Sequence, residues 1–90
     1  MKLTDPVAVS SGVIAREAGG ETALVDLASG NSFRLDPIGS RIWQLLEEGS
    51  SLSEACEAIL AEYEVSAAEL ERDILALIEQ LAAHGLVTIG

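Results

Sequence analysis

The segment from Asn31 to Glu48 constrains the fold most, because a strand pattern changes into a helix pattern there without a linker. Ser32–Leu35 alternates polar and apolar side chains, which is the period of a strand with one buried face. Asp36 and Pro37 favour a helix start, since Asp accepts bonds from the first turn and Pro has no donor to lose there. The segment therefore predicts a strand joined directly to a helix that ends at Gly49.

The residues before this segment predict strands. Val13–Arg16 and Thr22–Leu27 flank a Gly-Gly turn, and paired glycines supply the positive φ angles that a tight hairpin needs. Together with Ser32–Leu35 they predict a three-stranded antiparallel meander whose third strand lies at an edge. Residues 1–12 predict a loosely held arm, with a short extended piece at Val7–Val9.

The residues after the segment predict two more helices and a short final strand. Ser51 and Glu54 have the spacing of a capping box, and Ser66 and Glu69 repeat it. The third helix is predicted to end near His84. Successive residues of a helix are 100° apart, which places Leu75 beside the main apolar stripe of this helix. Leu75 is the apolar residue of the helix whose position a single buried face explains least. The side chains predicted to be buried are Phe33, Leu35, Ile42, Trp43, Leu60, Leu70, Ile74 and Leu81.

These elements predict one small α+β domain over residues 1–90, with a three-stranded N-terminal sheet followed by three helices in a winged-helix-like arrangement. One cysteine excludes an internal disulfide. No apolar run is long enough to span a bilayer, and no signal-peptide pattern opens the chain. We therefore expect a cytoplasmic protein without a membrane partner.

The charge distribution argues against a large nucleic-acid surface. The net charge is −10, and residues 40–90 hold ten acidic and two basic residues (2 − 10 = −8). Phosphate binding needs clustered Lys and Arg, which this half of the chain does not have. The predicted fold also allows, as an alternative function, a winged-helix DNA-binding protein or another protein-interaction adaptor. The acidic charge argues against DNA binding.

No arrangement of side chains predicts catalysis. Cys56 lies within an apolar helix stripe, where it serves as a small buried hydrophobe. His84, the only histidine, lies in the last helical turn, where its cationic form would interact favourably with the helix dipole. No Cys/His cluster has zinc spacing, and no Gly-rich phosphate loop is present. The sequence therefore predicts no catalytic residues, no metal site and no cofactor.

A series of short motifs resembles the PqqD family in order and spacing. The N-terminal motifs are Leu24-Val25-Asp26, Ser29-Gly30-Asn31, Phe33-Arg34-Leu35-Asp36, Gly39, Ile42-Trp43 and Leu45-Leu46. The C-terminal motifs are Gly49, Ser51-Leu52-Ser53-Glu54-Ala55, Leu60, Tyr63, Asp73-Ile74, Leu77-Ile78, Leu81 and Gly85-Leu86-Val87. The resemblance covers nearly the whole chain after Gly12.

The resemblance implies a RiPP recognition element, a non-catalytic module that binds the leader segment of a ribosomally made precursor peptide. In such modules the leader adds as a strand to the sheet edge and rests against the third helix, and the domain presents it to a modifying enzyme. That partner is a radical SAM enzyme in the cofactor branch, and a leader peptidase with a cyclase in lasso-peptide systems. Leu35-Asp36-Pro37 replaces the Leu-Asn motif common in the cofactor branch, which favours a pathway other than PQQ synthesis.

The resemblance and the sequence pattern together predict where the leader peptide binds. The third strand would supply mainly backbone groups, Leu75 and Ile78 apolar contacts, and the charged residues selectivity at the margins. The alternative for Leu75 is that it covers another part of the same domain. The predicted leader-binding residues are Asn31, Ser32, Phe33, Arg34, Leu35, Glu71, Arg72, Leu75 and Ile78.

Overall fold

The computed structural model describes residues 1–90 and contains five strands and three helices. The elements are β1 (Val7–Val9), β2 (Val13–Ala18), β3 (Glu21–Asp26), β4 (Ser32–Leu35), α1 (Pro37–Glu47), α2 (Leu52–Glu62), α3 (Ala67–Ala83) and β5 (Val87–Ile89). The predicted α+β class and the order of strands before helices are confirmed.

Strands β2, β3 and β4 form the predicted antiparallel meander, with β4 at one edge. Gly19 and Gly20, at φ +62° and +84°, make the β2–β3 turn, a backbone conformation that other residues adopt only with strain. Leu24 pairs with Phe33 and Thr22 with Leu35. Leu24 and Leu35 are buried, so this side of the sheet, which we call its inner face, packs on the helices.

The junction between β4 and α1 has the predicted form. The Asp36 carboxylate caps α1 by accepting from the Gly39 N–H at 2.7 Å, and Pro37 is the first helical residue. The helix ends when the N–H groups of Gly49 and Ser50 donate to the carbonyls of Leu46 and Leu45. This bond pair satisfies carbonyls that the helix itself leaves free.

The two later helices begin at the predicted serines. Ser51 and Glu54 form a reciprocal capping box at α2, and the bonds from Ser51 lower the pKa of the Glu54 carboxyl. At α3 the Ser66 hydroxyl accepts from the Glu69 N–H at 3.4 Å. Arg41 of α1 binds the Glu62 carboxylate of α2, with its Nη2 2.8 Å from Oε2. This ion pair joins the first half of α1 to the last residue of α2.

The N-terminal arm is paired, which corrects the prediction that residues 1–12 are loosely held. β1 runs antiparallel to β5, with Val7 opposite Ile89 and Val9 opposite Val87. Met1 and Leu3 pack against the core. The arm is held because the last strand of the chain offers it an edge.

The core is formed by one face of each helix and the inner face of the meander. Of the side chains predicted to be buried, Leu35, Ile42, Trp43, Leu70, Ile74 and Leu81 are buried, while Phe33 is half-buried. Leu60 is 39% exposed, so its predicted burial is wrong. It follows Ile59, which is fully buried and takes the core-facing position of that turn.

We predict that truncating Trp43 strongly destabilises the domain. Its side chain is 2% exposed within the core, and Trp→Ala changes at such sites cost about 3–5 kcal/mol. Trp43→Phe should cost much less, because it keeps most of the ring and removes an indole N–H that has no hydrogen-bond partner. Chemical denaturation of the three proteins tests this. If Trp43→Ala unfolds at the same denaturant concentration as the parent, Trp43 does not anchor the core.

Candidate functional site

A groove of about 370 Å³ lies between β4 and α3. The first residues of α1 close its base, and Val65, in the loop between α2 and α3, lines it as well. The side chains that line the groove from the strand and from α1 are Phe33, Arg34, Leu35, Asp36, Ile38 and Ile42. Those that line it from α3 are Glu69, Leu70, Asp73, Ile74, Leu77 and Gln80.

The floor of the groove is apolar and only partly covered. Leu35, Leu70 and Ile74 are buried, whereas Phe33 and Leu77 remain half-buried. The Phe33 ring lies edge-on to the His84 ring, with centroids 5.5 Å apart at an interplanar angle of 66°. This contact orients the aromatic wall of the groove. The floor can therefore take apolar side chains from outside the chain.

The second edge of β4 has no partner strand. Asp26 donates its N–H to the Asn31 carbonyl, which fixes the phase of the β3–β4 ladder. Because bonded and non-bonded pairs alternate in an antiparallel ladder, Phe33 and Leu35 turn their backbone groups toward β3. Ser32 and Arg34 then turn theirs toward the open edge, where another strand can pair with them.

The rim of the groove carries both signs of charge. Glu69 and Asp73 lie on the α3 side and Arg34 on the β4 side, and none of the three takes part in an ion pair. One oxygen of the Asp36 carboxylate, Oδ1, already accepts a hydrogen bond from the Gly39 N–H. Glu69 and Asp73 thus remain available to a cationic group, and Arg34 to an anionic one.

The structure brings together the predicted strand residues but separates the predicted helix residues from the groove. Phe33, Arg34 and Leu35 line it, and Asn31 and Ser32 are exposed at the start of β4. Glu71 and Arg72 are exposed and do not line the groove, and Leu75 packs half-buried against the core. Ile78 is fully buried, and its side chain therefore offers no surface to a peptide in this structure.

The groove residues of α3 belong to the stripe that the sequence predicts as core. Leu70, Ile74 and Leu77 follow one another at helical spacing, and this spacing alone places all three on one apolar stripe. Three side chains of this stripe are buried in the core: Ile74, Ile78 and Leu81. Leu77 directly precedes Ile78 and lies at the margin of the buried face, where it lines the groove. Helical spacing identifies the apolar stripe. It does not show which margin of the stripe a neighbouring strand leaves exposed.

The two residues considered for chemistry lie apart from any reactive arrangement. Cys56 is 6% exposed, and burial, together with the charge of Glu71, raises the pKa of its thiol. The His84 Nδ1 lies 2.8 Å from the Gln80 carbonyl. No group of three or more His, Cys, Asp or Glu side chains could hold a metal ion. None of the helices has the length and apolar character needed to cross a membrane.

The fold and the groove define a small α+β domain with an open sheet edge beside an apolar cleft. A model of the family "Coenzyme PQQ synthesis protein D (PqqD)" matches residues 21–87, and the chain therefore belongs to the PqqD family. The family predicted from the sequence motifs is thus confirmed. Among curated proteins there is no match.

Two solved structures share this fold, and each contains a leader peptide. One is TbiB1 in complex with the TbiA(beta) leader peptide, which is 40% identical with a TM-score of 0.84 over 89% of this chain and 93% of that chain. The other is lasso peptide synthetase B1 complexed with the leader peptide, which is 27% identical with a TM-score of 0.81 over 91% of this chain and 96% of that chain.

We predict that the Cys56 thiol reacts slowly with iodoacetamide in the native protein. Burial and a raised pKa both lower the concentration of accessible thiolate, which is the reactive form. The same protein in denaturant is the control and should react at the rate of a free thiol. Equal rates in the two states would mean that the α2 stripe opens readily and that Cys56 is not a core residue.

Proposed function

We propose that this chain binds the leader segment of a ribosomally synthesised precursor peptide as a strand added to the open edge of β4. The observation that carries the proposal is the unpaired β4 edge directly beside an apolar groove. The two similar solved structures contain leader peptides, which supports the same class of ligand here. The chain itself would perform no chemistry on the peptide.

In strand addition, the backbone and the side chains of the protein have different roles. The N–H and C=O groups of Ser32 and Arg34 would form hydrogen bonds with the peptide backbone. Because these bonds do not involve the peptide's side chains, they would hold many different sequences. Alternate peptide side chains would enter the groove, where the apolar floor selects among them. A micromolar complex corresponds to about −8 kcal/mol, a reasonable scale for a segment that must become ordered on binding.

The α3 contacts in this proposal come from Leu77 and Ile74 instead of Leu75 and Ile78. Leu77 is half-buried and lines the groove, so part of its side chain is free to contact a peptide. The rim would select charge through Glu69 and Asp73, which favour a basic side chain in the leader. Glu71 and Arg72 would act only through longer-range electrostatics.

The bound leader would be delivered to an enzyme that modifies or cleaves the precursor. A radical SAM enzyme and a leader peptidase with a cyclase are the two partner classes that the family resemblance implies. The similarity to lasso peptide synthetase B1 supports the second class. A DNA-reading role has less support, because α3 presents Glu69, Glu71, Asp73 and Glu79 against the single base Arg72.

We predict that Leu77→Glu weakens leader binding at least about tenfold, equivalent to ~1.4 kcal/mol, because it places a charge in the apolar groove. Leu75→Glu is a matched control, since Leu75 lies on the same helix, is also half-buried and does not line the groove. The measurement is calorimetric titration with a synthetic leader of the precursor encoded beside this chain. Thermal melts check that both variants remain folded.

The outcomes of this titration separate the two assignments of the helix contact. If only Leu75→Glu weakens leader binding, the leader contacts Leu75, the residue predicted from the sequence. No binding by the wild-type protein would remove the proposed function itself.

We predict that Arg34→Pro weakens leader binding much more than Arg34→Ala does. Both changes remove the guanidinium, but only proline removes the N–H that Arg34 turns toward the open edge. The ladder to β3 does not use that N–H, so the sheet should survive the change, which circular dichroism can check. Amide shifts on leader addition should concentrate on residues 31–35. Equal affinities of the two variants would argue against backbone pairing at this edge.

A further inference from the structure

The outer face of the meander, on the side away from the helices, is uncovered and exposes apolar side chains. Ile14 of β2 lies directly opposite Val25 of β3, and the two side chains are 44% and 37% exposed. Leu27, at the end of β3, is 63% exposed. Three apolar side chains are therefore grouped on the surface of a strongly acidic protein.

Two arginines lie in the row of the sheet next to this apolar group. Arg16 and Arg34 lie opposite Ala23 from its two sides, so one row of the sheet reads Arg16, Ala23, Arg34. Neither arginine takes part in an ion pair. A shallow depression of about 180 Å³ lies along this row, and Glu21 is the acidic residue that lines it. The outer face thus carries two basic groups and one acidic group, although the chain has a net charge of −10.

We propose that this outer face is the docking surface for the precursor-modifying enzyme, through a partner patch in which a carboxylate lies beside apolar side chains. A carboxylate of the partner would lie between Arg16 and Arg34, and an apolar side chain would cover Ile14 and Val25. An arginine side chain can bind a carboxylate through two parallel hydrogen bonds, and arginine is enriched among the residues that dominate interfaces.

A second copy of this chain fits the surface less well. A two-fold contact between outer faces would bring four arginines together with only two copies of Glu21 to offset them. Contact of this face with the acidic helices of another copy would be head-to-tail, which builds a ring or an open filament and not the common two-fold dimer. A different protein with the opposite charge pattern is the better match.

The position of β4 couples this surface to the leader, a step that rests on the proposed function. A strand added at the β4 edge widens the sheet, and every second leader side chain then lies on the outer face beside Ser32 and Arg34. Arg34 lines both the groove and the outer depression. The enzyme would therefore contact a surface composed of protein and leader, and leader binding would raise the affinity for the enzyme.

The test measures binding of the purified modifying enzyme encoded beside this chain, by biolayer interferometry, with and without saturating synthetic leader. Ile14→Glu and Arg16→Glu should each weaken enzyme binding at least about tenfold while leaving leader affinity within about twofold. Leu60→Glu and Lys2→Glu are the matched controls, because they make the same changes at exposed positions off this face. Enzyme binding by the wild-type protein should be tighter with leader than without it.

The outcomes distinguish this inference from the proposed function. Retained enzyme binding in both outer-face variants, an equal loss in the controls, no enzyme binding by the wild-type protein, or self-association through this face would overturn the inference. If the leader does not bind but enzyme binding still depends on Arg16, the proposed function fails and the docking surface stands.

Discussion

The direct connection between β4 and α1 is the constraint on which the rest of the structure depends. Asp36 is the only residue between the strand and the helix, and its carboxylate caps α1 at 2.7 Å from the Gly39 N–H. Leu35, one residue earlier, is 3% exposed in the core. A Cβ at Gly39 would lie 3.1 Å from the Asp36 Oδ1 and 3.4 Å from the Leu35 Cβ, so glycine permits this close approach. The junction sets the position of β4 relative to α1, and residues of both elements line the groove that faces α3.

The sequence predicts those parts of the fold whose signals lie within a few residues of one another. The Asp36-Pro37 start, the Ser51–Glu54 capping box and the Gly-Gly hairpin are such signals, and all three occur in the structure. The pairing of Val7 with Ile89 joins opposite ends of the chain, and no local pattern encodes it. Which α3 residues line the groove is not predicted for a similar reason. Whether Leu75 or Leu77 faces a groove depends on where β4 lies, and helical spacing carries no information about that.

An open strand edge beside an apolar groove is a hazard as well as a site, because it can pair with any exposed strand. Three features of this chain limit that hazard. β4 is four residues long, its outward side chains are Ser32 and Arg34, and the net charge of −10 keeps copies apart. The edge can thus remain unpaired without leading to self-association. A precursor segment with a basic residue would meet less repulsion, because Glu69 and Asp73 attract it.

β4 presents its groups in three directions, and this would allow so small a domain to bind the two proposed partners at once. Phe33 and Leu35 point to the groove and core, the backbone of Ser32 and Arg34 points along the sheet, and their side chains point to the outer face. Strand alternation separates these directions for all but Arg34, which lines both the groove and the outer depression, so a ligand at the edge leaves most of the outer face uncovered. The directions remain coupled, because a shift of β4 along β3 by one residue would exchange its inward and outward side chains. The buried Leu35 and the cap at Asp36 oppose that shift, and the junction that forms the groove therefore also fixes the outer surface.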